Sequence, residues 1–381
     1  MICIWNATIH TANQIIENGA VLLAEGQIVD VLAARQVSRA GEYLIIDATG
    51  LHLVPGFIDL QLNGAMGLDF TSDPGSIWRA AEFLPQTGVT SFLPTIITAP
   101  LTAVSIAQQI ITSDPPSGFH GATPLGLHIE GPFLHPDKKG AHNPAHLQLP
   151  TAEKVANWSP ETGIRLVTLA PELDGALDVA QVLAKRGVIV SAGHSTASFA
   201  QATAGFDAGI RYGTHLFNAM PPLHHREPGL AGSLLADNRA TIGLIVDGEH
   251  VHPELVKLVW QLVGNGRLTL VTDAMAALGM PPGRYILGDY EVIVDETTAR
   301  LASGTLAGSL LRLDTAVRNL ITYTGCTLAD ALPTVTRTPA DLLGLPHKGR
   351  LAPGCDADLV LLTPDLQVHT TFIGGKIVYQ K

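Results

Sequence analysis

The middle of this chain repeats one pattern eight times: a short apolar run, then a segment whose apolar residues recur at helical spacing. The runs are LVPGFIDL, VTSFLPTIIT, PLGLHIEG, IRLVTLAPE, VIVSAGHS, RYGTHLFN, TIGLIVDGEH and LTLVTDAM. Amphipathic segments such as TASFAQATAGFDAG and PELVKLVWQLVGNG lie between them. Strands that alternate with helices pair in parallel, because a parallel neighbour is reached only through a crossover. Eight such units imply an α/β protein built on a (β/α)8, TIM-like barrel. An open doubly wound sheet is the competing arrangement, but no G-x-G-x-x-G turn follows any run. With 46% hydrophobic and 15% charged residues, the 381-residue chain can bury a core of that size.

The repeat stops at both ends. Residues 1–54 read as short β segments, ICIWNATIHT, GAVLLAEGQIVDVL and YLIIDATG, with turns at Asn18-Gly19 and Glu25-Gly26. Residues 347–381 read the same way, in DADLVLLT, QVHTTFIGG and KIVYQK. We expect the two ends to pair into one small β-sandwich domain, with residues 55–346 forming the barrel. A further β insertion is expected around 283–303, on top of the barrel, followed by helical stretches at about 310–345.

Lys plus Arg number 23 against 34 Asp plus Glu, a net charge of −11. That balance disfavours nonspecific binding to nucleic acid and to an anionic membrane, but not to a small anion held by a few local cations. The three cysteines, Cys3, Cys326 and Cys355, form no C-x-x-C pair, which fits a reducing compartment. No basic residue precedes Arg35, no compact apolar leader is evident and no apolar run reaches spanning length, so a cytoplasmic protein is expected.

A barrel of this kind carries its chemistry at the C-terminal ends of its strands. The third run ends in Glu130 (HIEGP), the fifth in His194 (SAGHS), the sixth in His215 (GTHLFNAM) and the eighth in Asp273 (VTDAM). A lone strand-end histidine is more often structural than a ligand, and a strand-end Asp can simply cap a helix. Four such residues on four strands form a constellation. One carboxylate and two imidazoles suit a catalytic metal that keeps an open position, with Asp273 placed to move a proton. The first run poses a puzzle. In PGFIDLQLNG, Asp59, Gln61 and Asn63 share one side of a strand, yet amides stand where a metal site would want histidines.

PGFID after a β-rich start, HIEGP, AGHS, THLFNAM, TDAM and the closing PGCDADLVLL resemble the amidohydrolase superfamily. LHIEGPFLHPDKKGAHNP, THLFNAMPPLHHREPGLAG and GTLAGS narrow the resemblance to its N-acetylglucosamine-6-phosphate deacetylase family, over essentially the whole chain. The resemblance implies hydrolysis of the acetamide of a phosphorylated amino sugar. It implies one divalent metal per subunit, Zn2+ foremost, with Fe2+, Co2+ and Mn2+ also compatible, held by Glu130, His194 and His215. Gln61 and Asn63 replace the H-x-H that binds a second metal in most of the superfamily, and are expected to line the site. Asp273 is the implied acid–base, and His142 (KKGAHNP) the donor to the acetamide carbonyl. For the substrate, the resemblance implies that His250 meets a ring hydroxyl and that Asn218 and Ala219 meet the phosphate. It also implies that Arg226 reaches the phosphate from a neighbouring subunit, in a homodimer or dimer of dimers, and that Ala307, Gly308 and Ser309 close over the sugar.

Some residues near these motifs are set aside. His250 and His252 form a second H-x-H, but between Gly248 and Pro253 they belong to a loop or helix entry, and His252 reads as structural. Lys138 and Lys139 read as a solvent-facing pair. A cyclic-amide hydrolase is the nearest rival, yet the fourth run, IRLVTLAPE, lacks the lysine those enzymes often carboxylate. A non-catalytic barrel would be expected to lose a ligand or the acid–base Asp, and neither is lost. The choice between glucosamine and galactosamine substrates stays open.

Overall fold

The computed structural model describes residues 1–37 and 43–381; residues 38–42 of the N-terminal β block lie outside the described residues. The eight expected runs are eight barrel strands. In chain order they are Phe57–Leu62, Val89–Ile97, Leu127–Glu130, Ile164–Leu169, Ile189–Ala192, Ile210–Gly213, Thr241–Leu244 and Leu268–Leu270. Each pairs in parallel with the next. Every residue of the first three is buried, as strands covered on both faces require. The ring closes where the eighth strand meets the first: Asp273 N donates to Gln61 O at 2.9 Å, and Asn63 N to Ala274 O at 2.8 Å. Closure therefore fixes Gln61, Asn63 and Asp273 side by side. Gly56 leads into the first strand, and a Cβ there would lie 2.1 Å from Thr90 Oγ1. Only glycine lets the chain pass this close to the second strand.

Helices follow most strands as the periodicity predicts. Ser198 accepts from Gln201 N and Gln201 returns the bond to Ser198 N, a capping box that starts Phe199–Asp207. His252 caps Pro253–Arg267 by accepting from Glu254 N, which gives it the structural role expected of it. The third unit departs from the repeat. Among the described residues no α-helix lies between Glu130 and Ile164, only the short turns Pro136–Lys138, Pro144–His146 and Pro160–Thr162. Each begins at a proline, which cannot continue a hydrogen-bonded helix. The resulting long loop carries Lys138, Lys139 and His142 across the top of the barrel.

The chain ends do pair. Leu359–Leu362 runs antiparallel to His52–Pro55 in one continuous eight-stranded sheet. Its order is Lys376–Gln380, Val368–Ile373, Leu359–Leu362, His52–Pro55, Ile2–His10, Ile15–Ala24, Gln27–Ala33, with Leu44–Asp47 also paired to Ile2–His10. Its own core includes Ile4, Ile9, Val21, Leu23, Leu53 and Phe372. Near the expected insertion, Gly283–Leu287, Tyr290–Val294 and Ala299–Arg300 form a three-stranded antiparallel sheet. Leu287, Val292, Val294 and Ala299 pack on Ile97, Met275 and Ala276, seating it over the ends of the second and eighth barrel strands. No helix of the described residues is long and apolar enough to cross a membrane.

Candidate active site

A cavity of about 660 Å³ opens at the C-terminal end of the barrel. Glu130, the last residue of the third strand, is 2% exposed on its floor. Its Oε1 lies 3.2 Å from His194 Nε2 and 3.0 Å from His215 Nε2, and the two imidazole nitrogens are 3.1 Å apart. His194 Nδ1 sits 2.8 Å from the Lys138 carbonyl, an acceptor only, so the ring proton is on Nδ1 and the Nε2 lone pair faces Glu130. A carboxylate oxygen and such lone pairs repel at this separation unless a cation lies among them. The set therefore fits a divalent metal, with the Lys138 carbonyl orienting one ligand from behind. Among the described residues these three form the group with metal-ligand spacing. Glu172 anchors the turn beyond His194, accepting from Ser195 Oγ at 2.7 Å.

The local backbone is bent to present these groups. His194, His215, Phe217, Ala219 and Asp273 all have positive φ, from 31° to 76°. Non-glycine residues rarely adopt this left-handed region, and its concentration at one site is characteristic of functional strain.

The amides of the first strand answer the puzzle set by the sequence. Gln61 Nε2 donates to Glu130 Oε1 at 3.1 Å and to Asp273 Oδ1 at 3.0 Å; Asn63 Nδ2 donates to Asp273 Oδ1 at 2.7 Å. Two buried carboxylates face one another here, and amide N–H groups bridge them. Burial foremost, then the Glu130 charge, pushes the Asp273 carboxyl above its ordinary value, against His215 and Asn63. Asp59, one step lower on the same strand face, accepts from Thr272 Oγ1 at 2.6 Å, tying the first strand to the eighth.

His142 stands across the cavity. Its Nδ1 accepts from Thr98 N at 3.2 Å, with Thr98 Oγ1 at 2.8 Å, so its proton sits on Nε2. That nitrogen lies 3.9 Å from Glu130 Oε2. Burial foremost, then the His194 charge, lowers its pKa to about 3, so the ring is neutral and donates from Nε2.

The cavity also gathers Asn63, Asn218, Ala219 and His250 from the expected residues. It does not include Arg226, which is exposed in the loop after the sixth strand. Ala307, Gly308 and Ser309 stand behind the wall: Ser309 N donates to Asp273 O at 2.8 Å, while Thr305 and Leu306 of the same loop line the cavity. Lys138 and Lys139 line it too and are half-buried, contrary to the solvent-facing reading, because the helix-free third loop folds inward; Lys138 Nζ donates to Met220 O at 3.1 Å. Sequence reasoning missed Thr98, Asp247 and Arg300. The first two lie just beyond strand ends and were open to the same rule that found Glu130. Arg300, on the last strand of the covering sheet, lines the cavity with no carboxylate partner among the described residues and had no sequence signal.

The amidohydrolase family model matches residues 52–378. The N-acetylglucosamine-6-phosphate deacetylase of Homo sapiens is 42% identical over 351 residues, covering 88% of this chain and 85% of the relative. The N-acetylgalactosamine-6-phosphate deacetylase of Escherichia coli O157:H7 is 41% identical over 330 residues, covering 85% and 87%. A solved structure of a mutant N-acetyl-D-glucosamine-6-phosphate deacetylase from Mycobacterium smegmatis, in complex with N-acetyl-D-glucosamine-6-phosphate, superposes with a TM-score of 0.91 at 34% identity, over 100% of this chain and 99% of that one. The chain belongs to the amidohydrolase family, in the group of its members that includes the N-acetylglucosamine-6-phosphate deacetylases.

Proposed function

We propose that this protein hydrolyses the acetamide of N-acetylglucosamine 6-phosphate to glucosamine 6-phosphate and acetate. The observation that carries the reading is one cavity holding a Glu–His–His donor set, an amide-braced Asp273 and a neutral imidazole that can only donate. Glu130, His194 and His215 would hold one divalent cation, Zn2+ foremost and Fe2+, Co2+ or Mn2+ as alternatives, which supplies Lewis acidity to the carbonyl and acidifies water.

The chain's own residues do the rest. Asp273 takes a proton from the attacking water as the new C–O bond forms. His142 Nε2–H donates to the carbonyl oxygen as it gains charge, a contact worth roughly 3 kcal/mol in the transition state by analogy with oxyanion-hole donors. Asp273 then gives its proton to the departing nitrogen as the C–N bond breaks, so one carboxylate serves as base and then acid. Gln61 and Asn63 hold it in place through both transfers. Asn218 and Ala219 meet the phosphate, His250 meets a ring hydroxyl, and the loop through Ala307, Gly308 and Ser309 closes the sugar side. Arg226, which is exposed and does not line its own cavity, completes the phosphate site of a second copy in a homodimer or dimer of dimers; a guanidinium fork suits phosphate. The residue set and the charge balance fit a cytoplasmic sugar-phosphate enzyme.

The galactosamine isomer is a second reading, favoured by the similarity to the E. coli O157:H7 enzyme. Acetate release from both N-acetylhexosamine 6-phosphates, measured on metal-loaded protein, tests the two. Higher kcat/KM on the glucosamine isomer supports the first, the reverse supports the second, and no release from either rejects both.

A further inference from the structure

The remaining cavity histidine is held by a different kind of partner from His142. His250 Nδ1 lies 2.6 Å from Asp247 Oδ2. The other oxygen of that carboxylate, Oδ1, accepts from the backbone N–H groups of Glu249 at 2.9 Å and His250 at 2.8 Å. One carboxylate thus folds the DGEH turn and grips the ring within it. Both side chains are close to fully enclosed, 6% exposed for His250 and 12% for Asp247. The strand end just before is pinned as well, since Asn319 Nδ2 donates to Val246 O at 2.8 Å. Burial alone would raise the Asp247 carboxyl; the His250 Nδ1–H hydrogen bond, with the two backbone donors, outweighs it and keeps the carboxyl in its ionised, acceptor-only form.

An acceptor-only partner demands a proton on Nδ1. The nitrogen left to the cavity is then Nε2, with a lone pair. We propose that Asp247 is a positioning residue that sets the polarity of His250, so that Nε2 meets the substrate as a hydrogen-bond acceptor and selects a hydroxyl at the facing ring position. This rests on the amino-sugar reading above. His142, whose Nδ1 accepts from a backbone N–H, has the opposite polarity. The two imidazoles therefore sort the substrate by chemistry: a carbonyl, which accepts, goes to His142, and a hydroxyl, which donates, goes to His250. A deoxy sugar or a methyl ether at the facing position leaves a buried acceptor unpaired, and sites built this way reject such analogues strongly.

Asp247→Asn separates polarity from folding. The amide keeps Oδ1 for the two backbone N–H groups but places Nδ2 against His250 Nδ1. Because an amide N–H donates, the ring proton moves to Nε2 while the turn is retained. The test has two arms. In zinc-loaded protein with 15N-labelled histidine, long-range 1H–15N correlations report which ring nitrogen carries the proton. The expected result is Nδ1–H for His250 in the wild type and Nε2–H in Asp247→Asn. A wild-type His250 protonated on Nε2 overturns the proposal. In the second arm, kcat/KM is measured on N-acetylglucosamine 6-phosphate and on its 3-deoxy, 4-deoxy, 3-O-methyl and 4-O-methyl analogues. The wild type should disfavour the deoxy and methyl forms at one of the two positions by on the order of tenfold or more. Asp247→Asn should lose the discrimination against the methyl ether at the same position, mainly through KM, because an Nε2–H donates to an ether oxygen as it does to a hydroxyl oxygen, while the deoxy form, which offers no oxygen, stays disfavoured. Full discrimination between hydroxyl and methyl ether retained after the tautomer inverts overturns the proposal. Should Asp247→Asn fail to fold, the wild-type spectrum and analogue panel decide alone, and equal use of hydroxyl and methyl ether at both positions refutes it. If the wild type hydrolyses no N-acetylhexosamine 6-phosphate, the substrate reading fails, while the spectrum still judges the role of Asp247.

Discussion

Replacing Gln61 with Leu removes the one group that, among the described residues, donates a hydrogen bond to both Glu130 and Asp273. Gln61 is fully buried, and its Nε2 donates to Glu130 at 3.1 Å and to Asp273 at 3.0 Å. Leucine fills similar space but donates nothing. A hydrogen bond to a charged group contributes about 1.5–3 kcal/mol, and leaving the acceptor buried without it costs a similar amount. Asp273 keeps Asn63 at 2.7 Å, so it should remain in place but ionise less readily. Its carboxyl, already raised by burial and by the Glu130 charge, should rise further. A loss of about 1.5–3 kcal/mol corresponds to a roughly ten- to hundredfold fall in kcat/KM at neutral pH. The acid limb of the pH–rate profile should also move to higher pH, because the base must be ionised to act. The assay is kcat/KM against pH on metal-loaded wild type and Gln61→Leu, with metal content and thermal midpoint as controls. An unchanged profile in a variant that holds its metal would refute the idea that these amides brace the acid–base carboxylate.

The other predictions use different parts of the molecule. Asp273→Asn should keep fold and metal while losing most turnover, since its amide cannot take the water's proton; near wild-type kcat would reject the acid–base role, and loss of metal would make Asp273 a ligand. Arg226→Ala should cost about 2 kcal/mol or more in kcat/KM on the phosphorylated sugar and little on unphosphorylated N-acetylglucosamine. Mixing Arg226→Ala with Asp273→Asn chains should restore about one good site per mixed dimer if the arginine acts across subunits, and none if it acts within its own chain. Acid should destabilise the fold through His128, whose burial lowers its pKa to about 4 from 6.5. Because the folded value lies below the unfolded one, stability is full above pH 6.5 and falls as pH drops towards 4, by at most on the order of 3 kcal/mol. His10, also lowered to about 4 by burial and by His52, adds a loss of the same sign; urea midpoints from pH 8 to 4 check this, and a flat profile would contradict it.

The barrel was legible because its signal is periodic and repeated, and each of the eight apolar runs is a strand. The gathering of Glu130, His194, His215 and Asp273 in one cavity was legible because strand ends are few: Glu130 ends its strand, and the other three lie two or three residues beyond theirs. What escaped were the partners. Whether an imidazole offers a proton or a lone pair depends on what touches its far nitrogen, here Thr98 N, Lys138 O and Asp247 Oδ2. Two of these are backbone groups, invisible in residue identity. The inward fold of the third loop followed from prolines that were in plain view, yet Lys138 and Lys139 were read from charge alone. Arg300 reached the cavity through an inserted sheet whose placement no local pattern specifies.

The central claim is a deacetylase that works with a single metal held by Glu130, His194 and His215, with Gln61 and Asn63 standing in for a second. The measurement that tests it most directly is metal content per chain, titrated against the rate of acetate release from N-acetylglucosamine 6-phosphate. The account predicts that activity rises linearly to a plateau at one metal per chain, with one amine formed for each acetate. Activity that requires two metals per chain, or a fully loaded protein that releases no acetate, would contradict it.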